Sequence, residues 1–385
     1  MTVFQFETAG RILFGWGILD QGVNTAMTWG RRALVVCGGD SSRGALVRRL
    51  LEEGGLSTAI CPIDGEPALE TLEALREKHS GGSWDFVAAI GGGSVLDAGK
   101  AMAILLTNPG PVLEHLEIIG GAKPFANPSL PVVAIPTTSG TGAEVTRNAV
   151  LTSRKHGVKV SMRSQGMLPR LAVVDPELAM TMPPEVTAGT GLDAVTQLVE
   201  CLVSVRATPM TDGLCREGLR RGANALEKAW RDGNDRSARE SMAVASLISG
   251  IGLANAGLGA VHGLAGPIGG RFRAPHGMLC GALLPHVMRA NIAALSDRSS
   301  DPGALHRYRE VAVLLTGNGA AEAGDAVDWA ESTCRRLQVP GLSDFGLKRS
   351  DIPPLAEQAA QSSSMKGNPV RLTPSELVDV LVAAL

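Results

Sequence analysis

Hydrophobic positions in the first half of the chain come as short unbroken runs. ALVVC (33–37), FVAAI (86–90), PVVAIP (131–136) and LAVVDP (171–176) are apolar throughout their middles and bounded by turn residues. That is the pattern of strands buried on both faces. Between them, RGALVRRLLEEGG and PALETLEALREKH space their apolar residues three and four apart, as one face of a helix requires. Strands alternating with helices predict a parallel α/β sheet. NAVLTSRKHG followed by VKVSMRS predicts an added hairpin. After DPELAMTMPP the strand-like runs stop, and long segments such as DGLCREGLRRGANALEKAW and ARESMAVASLISGIGLANA carry helical spacing instead. The second half is expected to be all-helical, with a boundary at Pro183–Pro184. Two domains follow, residues 1–182 (α/β) and 183–385 (helical), because 385 residues exceed what one core usually holds. The cleft between two such halves is the default ligand site.

Composition narrows the partners. A formal net charge of -2 argues against nucleic acid or an anionic membrane as the main partner and favours a small-molecule substrate. Cys37, Cys61, Cys201, Cys215, Cys280 and Cys334 are scattered without a CxxC pair, and the N-terminus lacks a basic start and an apolar signal core. The expectation is a cytoplasmic chain with reduced thiols. Apolar pieces such as AMAILL fall well short of the roughly 18–20 residues that span a bilayer, so no membrane partner is expected. The 47 glycines cluster in short motifs rather than at a fixed period, which excludes a repeat architecture.

Two of those glycine motifs follow predicted strands. FVAAIGGGSVLDAGKAMAILL reads as strand, triple glycine, helix. Without Cβ atoms, Gly91, Gly92 and Gly93 let a phosphate approach the backbone, and the N–H groups of the helix start point at it. The stretch is neither a Walker loop, which needs Gly at Ser94 and Ser or Thr at Ala101, nor GxGxxG. A bare strand-to-helix turn would use the same glycines. PTTSGTGAEVTRNAV sets Thr137, Thr138, Ser139 and Thr141 beside two glycines, either as helix caps or as a second phosphate-friendly loop. Two such loops after two parallel strands fit one dinucleotide.

The helical half carries candidate metal donors. TGLDAVTQLVE places Asp193 and Gln197 four residues apart on one helix face, and GAVHGLAGPIGGRFRAPHGMLCGALLPH holds His262, His276 and His286. His262 and His276 each precede Gly, which would let backbone pack close to a bound ion. With Asp193 they supply two nitrogens and an oxygen for a divalent metal and leave a coordination position open. Satisfied structural histidines remain the alternative.

RILFG, GGGSVLDAGK, PTTSGTGAEVT, LPRLAVVDPEL, GLDAVTQLVE, VHGLAGPIGG, PHGMLCGALLPHVMRAN and KGNPVRLTP occur in the order seen in the iron-containing (group III) alcohol dehydrogenase family, which the chain resembles over essentially its whole length. The resemblance implies a Rossmann-like dinucleotide-binding domain, a helical domain, a metal in the cleft, and a homodimer or higher homo-oligomer. It implies NAD(P)H as cofactor, held by Gly91, Gly92, Gly93, Ser94, Asp97, Thr137, Thr138, Thr141, Asn148 and Lys159. It implies one divalent metal, Fe or Zn, on Asp193, Gln197, His262 and His276, with Asp193, His262 and His276 as catalytic residues. The activity implied is NAD(P)-dependent interconversion of an alcohol and an aldehyde or ketone.

The sequence departs from the family pattern at several positions. Gln197 replaces a ligand His, so weaker metal binding, a changed metal or a metal-free branch are all open. Gly266 stands where many relatives carry a proton-moving His. Arg271 and Arg273 occupy a loop that is usually apolar, as a clamp for an anionic substrate or as solvated side chains. Gly38 holds the place of the acidic residue that favours NAD; Asp40 two residues on suits NAD, whereas Ser41, Ser42 and Arg43 suit NADP. A maleylacetate-reductase-like enzyme, a dehydroquinate-synthase-like lyase and a nucleotide-binding protein without chemistry are the rival readings.

Overall fold

The apolar runs of the first half become a parallel sheet. The computed structural model describes residues 3–298 and 302–385. Among them, the strands are β1 (Ile12–Phe14), β2 (Arg32–Gly38), β3 (Ser57–Ile63), β4 (Phe86–Gly91), β5 (Val132–Pro136), β6 (Asn148–Ser153), β7 (Val158–Arg163) and β8 (Leu171–Val174). Six of these form one sheet in the order β1-β8-β5-β4-β2-β3, with every pair parallel. β6 and β7 pair antiparallel as the expected hairpin.

Helices α1 (Leu19–Met27), α2 (Ser42–Glu53), α3 (Leu69–His79) and α4 (Gly93–Leu105) connect the strands. The continuous apolar runs are explained by burial on both faces. Leu34, Val36, Val87 and Ala89 pack on one side with residues of α3 and α4, while Ala33, Val35, Phe86, Ala88 and Ile90 pack on the other with residues of α1 and α2. The hydrophobic pattern did not show β1 and β3, which form the two edges of the sheet. β1 is only three residues long, and β3 is half exposed along much of its length, so neither reads as a buried run.

The helical half contains α5 (Pro184–Val203), α6 (Pro209–Arg231), α7 (Arg236–Ala256), α8 (Ala260–Arg271), α9 (His276–Arg298), α10 (Pro302–Thr316), α11 (Ala323–Arg336), α12 (Ile352–Ala360) and α13 (Pro374–Ala383). α5 starts with Pro184 in its first turn, where the missing N–H costs nothing, and is buried along most of its length. α9 differs from the sequence expectation. By length and composition it is apolar enough to cross a membrane, yet 72% of its apolar window is buried inside the protein, so its apolarity serves the core. The chain separates into two compact units, Thr8–Thr138 with Gly142–Ala179, and the N-terminal residues through Glu7 with Ser139–Thr141 and Met180–Leu385.

Candidate active site

The helical unit builds a cluster of donors from α5, α8 and α9. Asp193, Gln197 and Glu200 follow at i, i+4 and i+7 on α5, so they share a face, and all three are buried. α8 begins after Gly259, which has no side chain to cap it. Its first N–H groups are satisfied from elsewhere, Ala260 N–H by Asn368 Oδ1 at 3.0 Å and Val261 N–H by Glu200 Oε1 at 2.7 Å. A carboxylate at a helix N-terminus is also favoured by the helix dipole. A Cβ on Gly259 would lie 2.8 Å from Asn368 Oδ1 and 3.0 Å from Glu200 Oε1, so glycine makes this capping possible. Asn368 is itself fixed by Asn291, which also donates to Tyr308 Oη at 2.9 Å.

The second oxygen of Glu200 meets His262 Nδ1 at 2.6 Å. A carboxylate only accepts, so the proton on Nδ1 is fixed and Nε2 faces the cluster. There Nε2 lies 3.2 Å from Asp193 Oδ1. Two lone pairs at that distance need a proton or a cation between them.

His276 opens α9 and reaches Asp193 Oδ1 at 3.8 Å through Nε2. One turn later Cys280 places Sγ 3.7 Å from His262 Nε2 and 3.7 Å from His276 Nε2. Donor atoms of Asp193, His262, His276 and Cys280 all lie within 4.8 Å of one another. Gln197 lies one turn after Asp193 on the same buried face of α5 and is the smallest of the influences that hold the Asp193 carboxyl down. Among the described residues Gln197 Oε1 is buried without a partner. A buried carbonyl oxygen beside this donor set fits a bound cation, and so do the facing lone pairs of Asp193 and His262.

Protonation in the cluster follows from mutual attraction. Burial opposes ionisation of Asp193, but His262 and His276 hold its carboxyl below the ordinary value. Burial likewise opposes charge on His262, yet Cys280, Glu200 and Asp193 raise it well above the ordinary value. Cys280 raises His276. Burial would push the Cys280 thiol up, and the two imidazoles bring it down.

The glycines beside the histidines have a different use from the one expected. A Cβ on Gly277 would sit 2.0 Å from the Gly189 carbonyl, and one on Gly263 would sit 2.7 Å from Met365 Cε. They let α9 approach α5 and let Met365 lie against α8. The expected approach of backbone to an ion does not explain them.

In the α/β unit the two candidate phosphate loops start side by side. Gly91 stands opposite Pro136 in the β4–β5 register, and Thr137 N–H donates to Gly91 O at 2.9 Å. Gly92 caps α4, and its Cβ position lies 3.5 Å from Thr138 Cγ2. Among the described residues Thr137 Oγ1 is buried without a partner. Gly93 and Ser94 form the first turn of α4, Asn148 opens β6, and Thr141 groups with the helical unit.

Two other expected cofactor residues are engaged within the fold. Asp97 pairs with Lys100 at 2.9 Å and accepts Val150 N–H at 2.9 Å, while Lys159 pairs with Glu66. Sequence reasoning missed Lys100. It is fully buried and donates to Ala143 O and Thr146 Oγ1, each at 2.9 Å, so it ties α4 to the loop after β5. Gly38 ends β2 with open space at its Cβ position. Asp40 accepts from the N–H and Oγ of Ser42, each at 2.9 Å, which lowers its pKa and places it at the start of α2.

Arg271 pairs with Asp351 at 3.0 Å and lies over the Phe272 ring. Arg273 is exposed. Gly266 has nothing within 4 Å of its Cβ position.

Residues 9–176 match the family described as iron-containing alcohol dehydrogenase, and residues 187–385 match its C-terminal family model. "Alcohol dehydrogenase 4" of Saccharomyces cerevisiae (strain YJM789) is 33% identical over 344 residues, covering 88% of this chain and 86% of that protein. The crystal structure of a 1,3-propanediol oxidoreductase superposes with a TM-score of 0.91 at 31% identity, covering 100% of both chains. That of sulfoacetaldehyde reductase from Bifidobacterium kashiwanohense, in complex with NAD+, superposes with a TM-score of 0.87 at 26% identity, covering 100% of this chain and 99% of that one.

Proposed function

Because the chain belongs to the iron-containing alcohol dehydrogenase family, we propose that Asp193, His262 and His276, with Gln197 beside them, form its metal centre and that Arg273 selects an anionic substrate. The chain is an oxidoreductase that interconverts an alcohol and an aldehyde or ketone, with a divalent metal and NAD(P)H as its cofactors. When bound, the metal supplies a Lewis acid for the carbonyl oxygen and the nicotinamide supplies hydride. The residues of the chain do the positioning. Glu200 holds His262 in one tautomer. Gly91 to Ser94, Thr137 and Thr138 supply a side-chain-poor cradle and a hydroxyl for the pyrophosphate. No side chain projects at Gly266, so we assign the proton to water.

The observation that carries this reading is the convergence of Asp193, His262 and His276 beside the unpaired Oε1 of Gln197. Purified protein is expected to hold one divalent transition metal per chain and to oxidise NAD(P)H in proportion to aldehyde reduced. His276→Ala is expected to lose both metal and turnover. Full turnover of a rigorously chelated, metal-free sample would overturn the metal assignment.

Anion selectivity is assigned to Arg273 because Arg271 is already paired with Asp351, and the sulfoacetaldehyde reductase neighbour is named for an anionic aldehyde. A charge-assisted hydrogen bond that bound substrate buries is worth about 1.5–3 kcal/mol, which corresponds to roughly 10- to 150-fold in kcat/KM. Succinic semialdehyde is therefore expected to exceed butanal by at least about 10-fold, mainly through KM, and Arg273→Ala is expected to erase the difference. Equal values in the unmodified protein would return Arg273 to a solvated loop residue.

The buried free thiols agree with a reducing, cytoplasmic compartment. We further propose a homodimer or higher oligomer, since β1 forms an open sheet edge with Phe14 exposed, and sedimentation equilibrium tests it.

A further inference from the structure

We propose that Cys280 is a metal ligand of this chain, supplying as a thiolate the fourth strong donor that Gln197 cannot. The inference rests on the metal-centre reading above and goes beyond it, because a thiolate changes which ion the site selects.

The distances are those of a coordination shell. Zn–N bonds of about 2.0–2.1 Å and a Zn–S bond of about 2.3 Å, at tetrahedral angles, separate sulfur from nitrogen by ~3.5 Å and nitrogen from oxygen by ~3.3 Å. Cys280 Sγ lies 3.7 Å from each imidazole Nε2, and Asp193 Oδ1 lies 3.2 and 3.8 Å from the same two nitrogens. Four of the six edges of the donor set thus match those of a tetrahedral shell, and the other two are no longer than 4.8 Å.

The helices place them by simple periodicity. His276 and Cys280 are one turn apart on α9, as Asp193 and Gln197 are on α5, so each helix directs an i, i+4 pair at the same point. The neutral Oε1 of Gln197 is a weaker donor than a thiolate for a borderline-soft cation.

Binding forms a metal–sulfur bond and breaks the Cys280 S–H bond, and the proton leaves to buffer. The donor set then carries two negative charges, from Asp193 and Cys280, against the two positive charges of the ion. Sulfur in the shell shifts preference toward zinc and cobalt(II), and away from harder ions.

Cobalt(II) titration of the chelated full-length chain tests this, because a Co–thiolate bond produces an intense near-ultraviolet charge-transfer band that oxygen and nitrogen donors do not. One equivalent of cobalt is expected to produce the band in the unmodified chain and in Gln197→Ala, and none in Cys280→Ala. The zinc dissociation constant of Cys280→Ala is expected to rise at least about 100-fold, beyond the 10- to 100-fold usual for outer-shell changes. In the unmodified chain, zinc should slow alkylation of the buried Cys280 relative to the chelated chain, read by peptide mass spectrometry; this arm does not depend on how the variant folds. Stoichiometric cobalt binding without the band, or a band that survives Cys280→Ala, overturns the cysteine assignment and leaves the metal centre standing. Failure of the unmodified chain to bind cobalt or zinc overturns both.

Discussion

At the scale of single residues, Glu200 does two jobs with two oxygens. One caps α8 at Val261 N–H and the other fixes the proton on His262 Nδ1. Glu200→Gln keeps the shape but replaces a charged acceptor by an amide whose NH₂ cannot accept. Metal affinity is expected to fall about 10- to 100-fold, measured by competition with a chromophoric chelator. An unchanged affinity would reduce Glu200 to a helix cap. Gly38 offers a second test at this scale. Its Cβ position is open, so Gly38→Asp introduces a carboxylate at the end of β2 without steric conflict. Such a group binds a ribose 2′-hydroxyl and repels a 2′-phosphate. The ratio of kcat/KM for NADH over NADPH is expected to rise at least about 10-fold, and no change would place the adenosine ribose elsewhere.

Elements decide what a sequence can reveal. α9 carries His276 and Cys280 at its start and Arg298 at its end, where the guanidinium pairs with Glu376 at 2.7 and 2.9 Å. Glu376 also closes a capping box with Thr373 at the start of α13. The hydrogen bond from Arg298 is the main cause that brings its carboxyl from an ordinary 4.5 to about 2, against a smaller burial effect. The folded value is depressed, so this stabilisation is complete above about pH 4.5 and fades as pH falls towards 2. Discounted for partial exposure, it is worth about 1–2 kcal/mol. Urea unfolding of Glu376→Gln should show that loss at pH 7 and little difference near pH 2. A loss of equal size at both pH values would point to packing.

The same helix shows where sequence reading stops. The buried strands β2, β4, β5 and β8 were legible because burial on both faces leaves unbroken apolar runs. β1 and β3 were not, because sheet edges are half wet. His276 is legible through its motif, but Cys280 is not, since no second cysteine stands at a ligand spacing from it. Only knowing that a helix starts at His276 turns HGMLC into an i, i+4 pair. Glu200 was visible as the end of TGLDAVTQLVE, yet its partners lie 61 and 62 positions away, beyond any local pattern.

At the scale of the whole molecule, the proposed metal donors belong to the helical unit, and the glycine turn after β4 belongs to the α/β unit. A ligand that binds only the folded state stabilises what it touches, by about 4 kcal/mol at a thousand times its dissociation constant. Chelation is therefore expected to reduce amide-exchange protection in α5, the start of α8 and the start of α9, while β2, β4 and β5 keep theirs. Protection lost equally from sheet and helices would show that the two units unfold as one.

Chain order adds a consequence for how the protein is made. The last strand of the sheet ends at Val174, the first proposed donor is Asp193 and the last is Cys280, 87 positions further on. At roughly 5–20 residues per second, a ribosome needs about 4 to 17 seconds to pass from one to the other. The strands have all been synthesised before any donor exists, and the donor set is complete only when the first turns of α9 emerge. Metal capture is thus a late event in biosynthesis. Starving a cell of the ion during synthesis therefore leaves the completion of the sheet's strands unaffected in order, since the ion's full donor set comes after them in the chain.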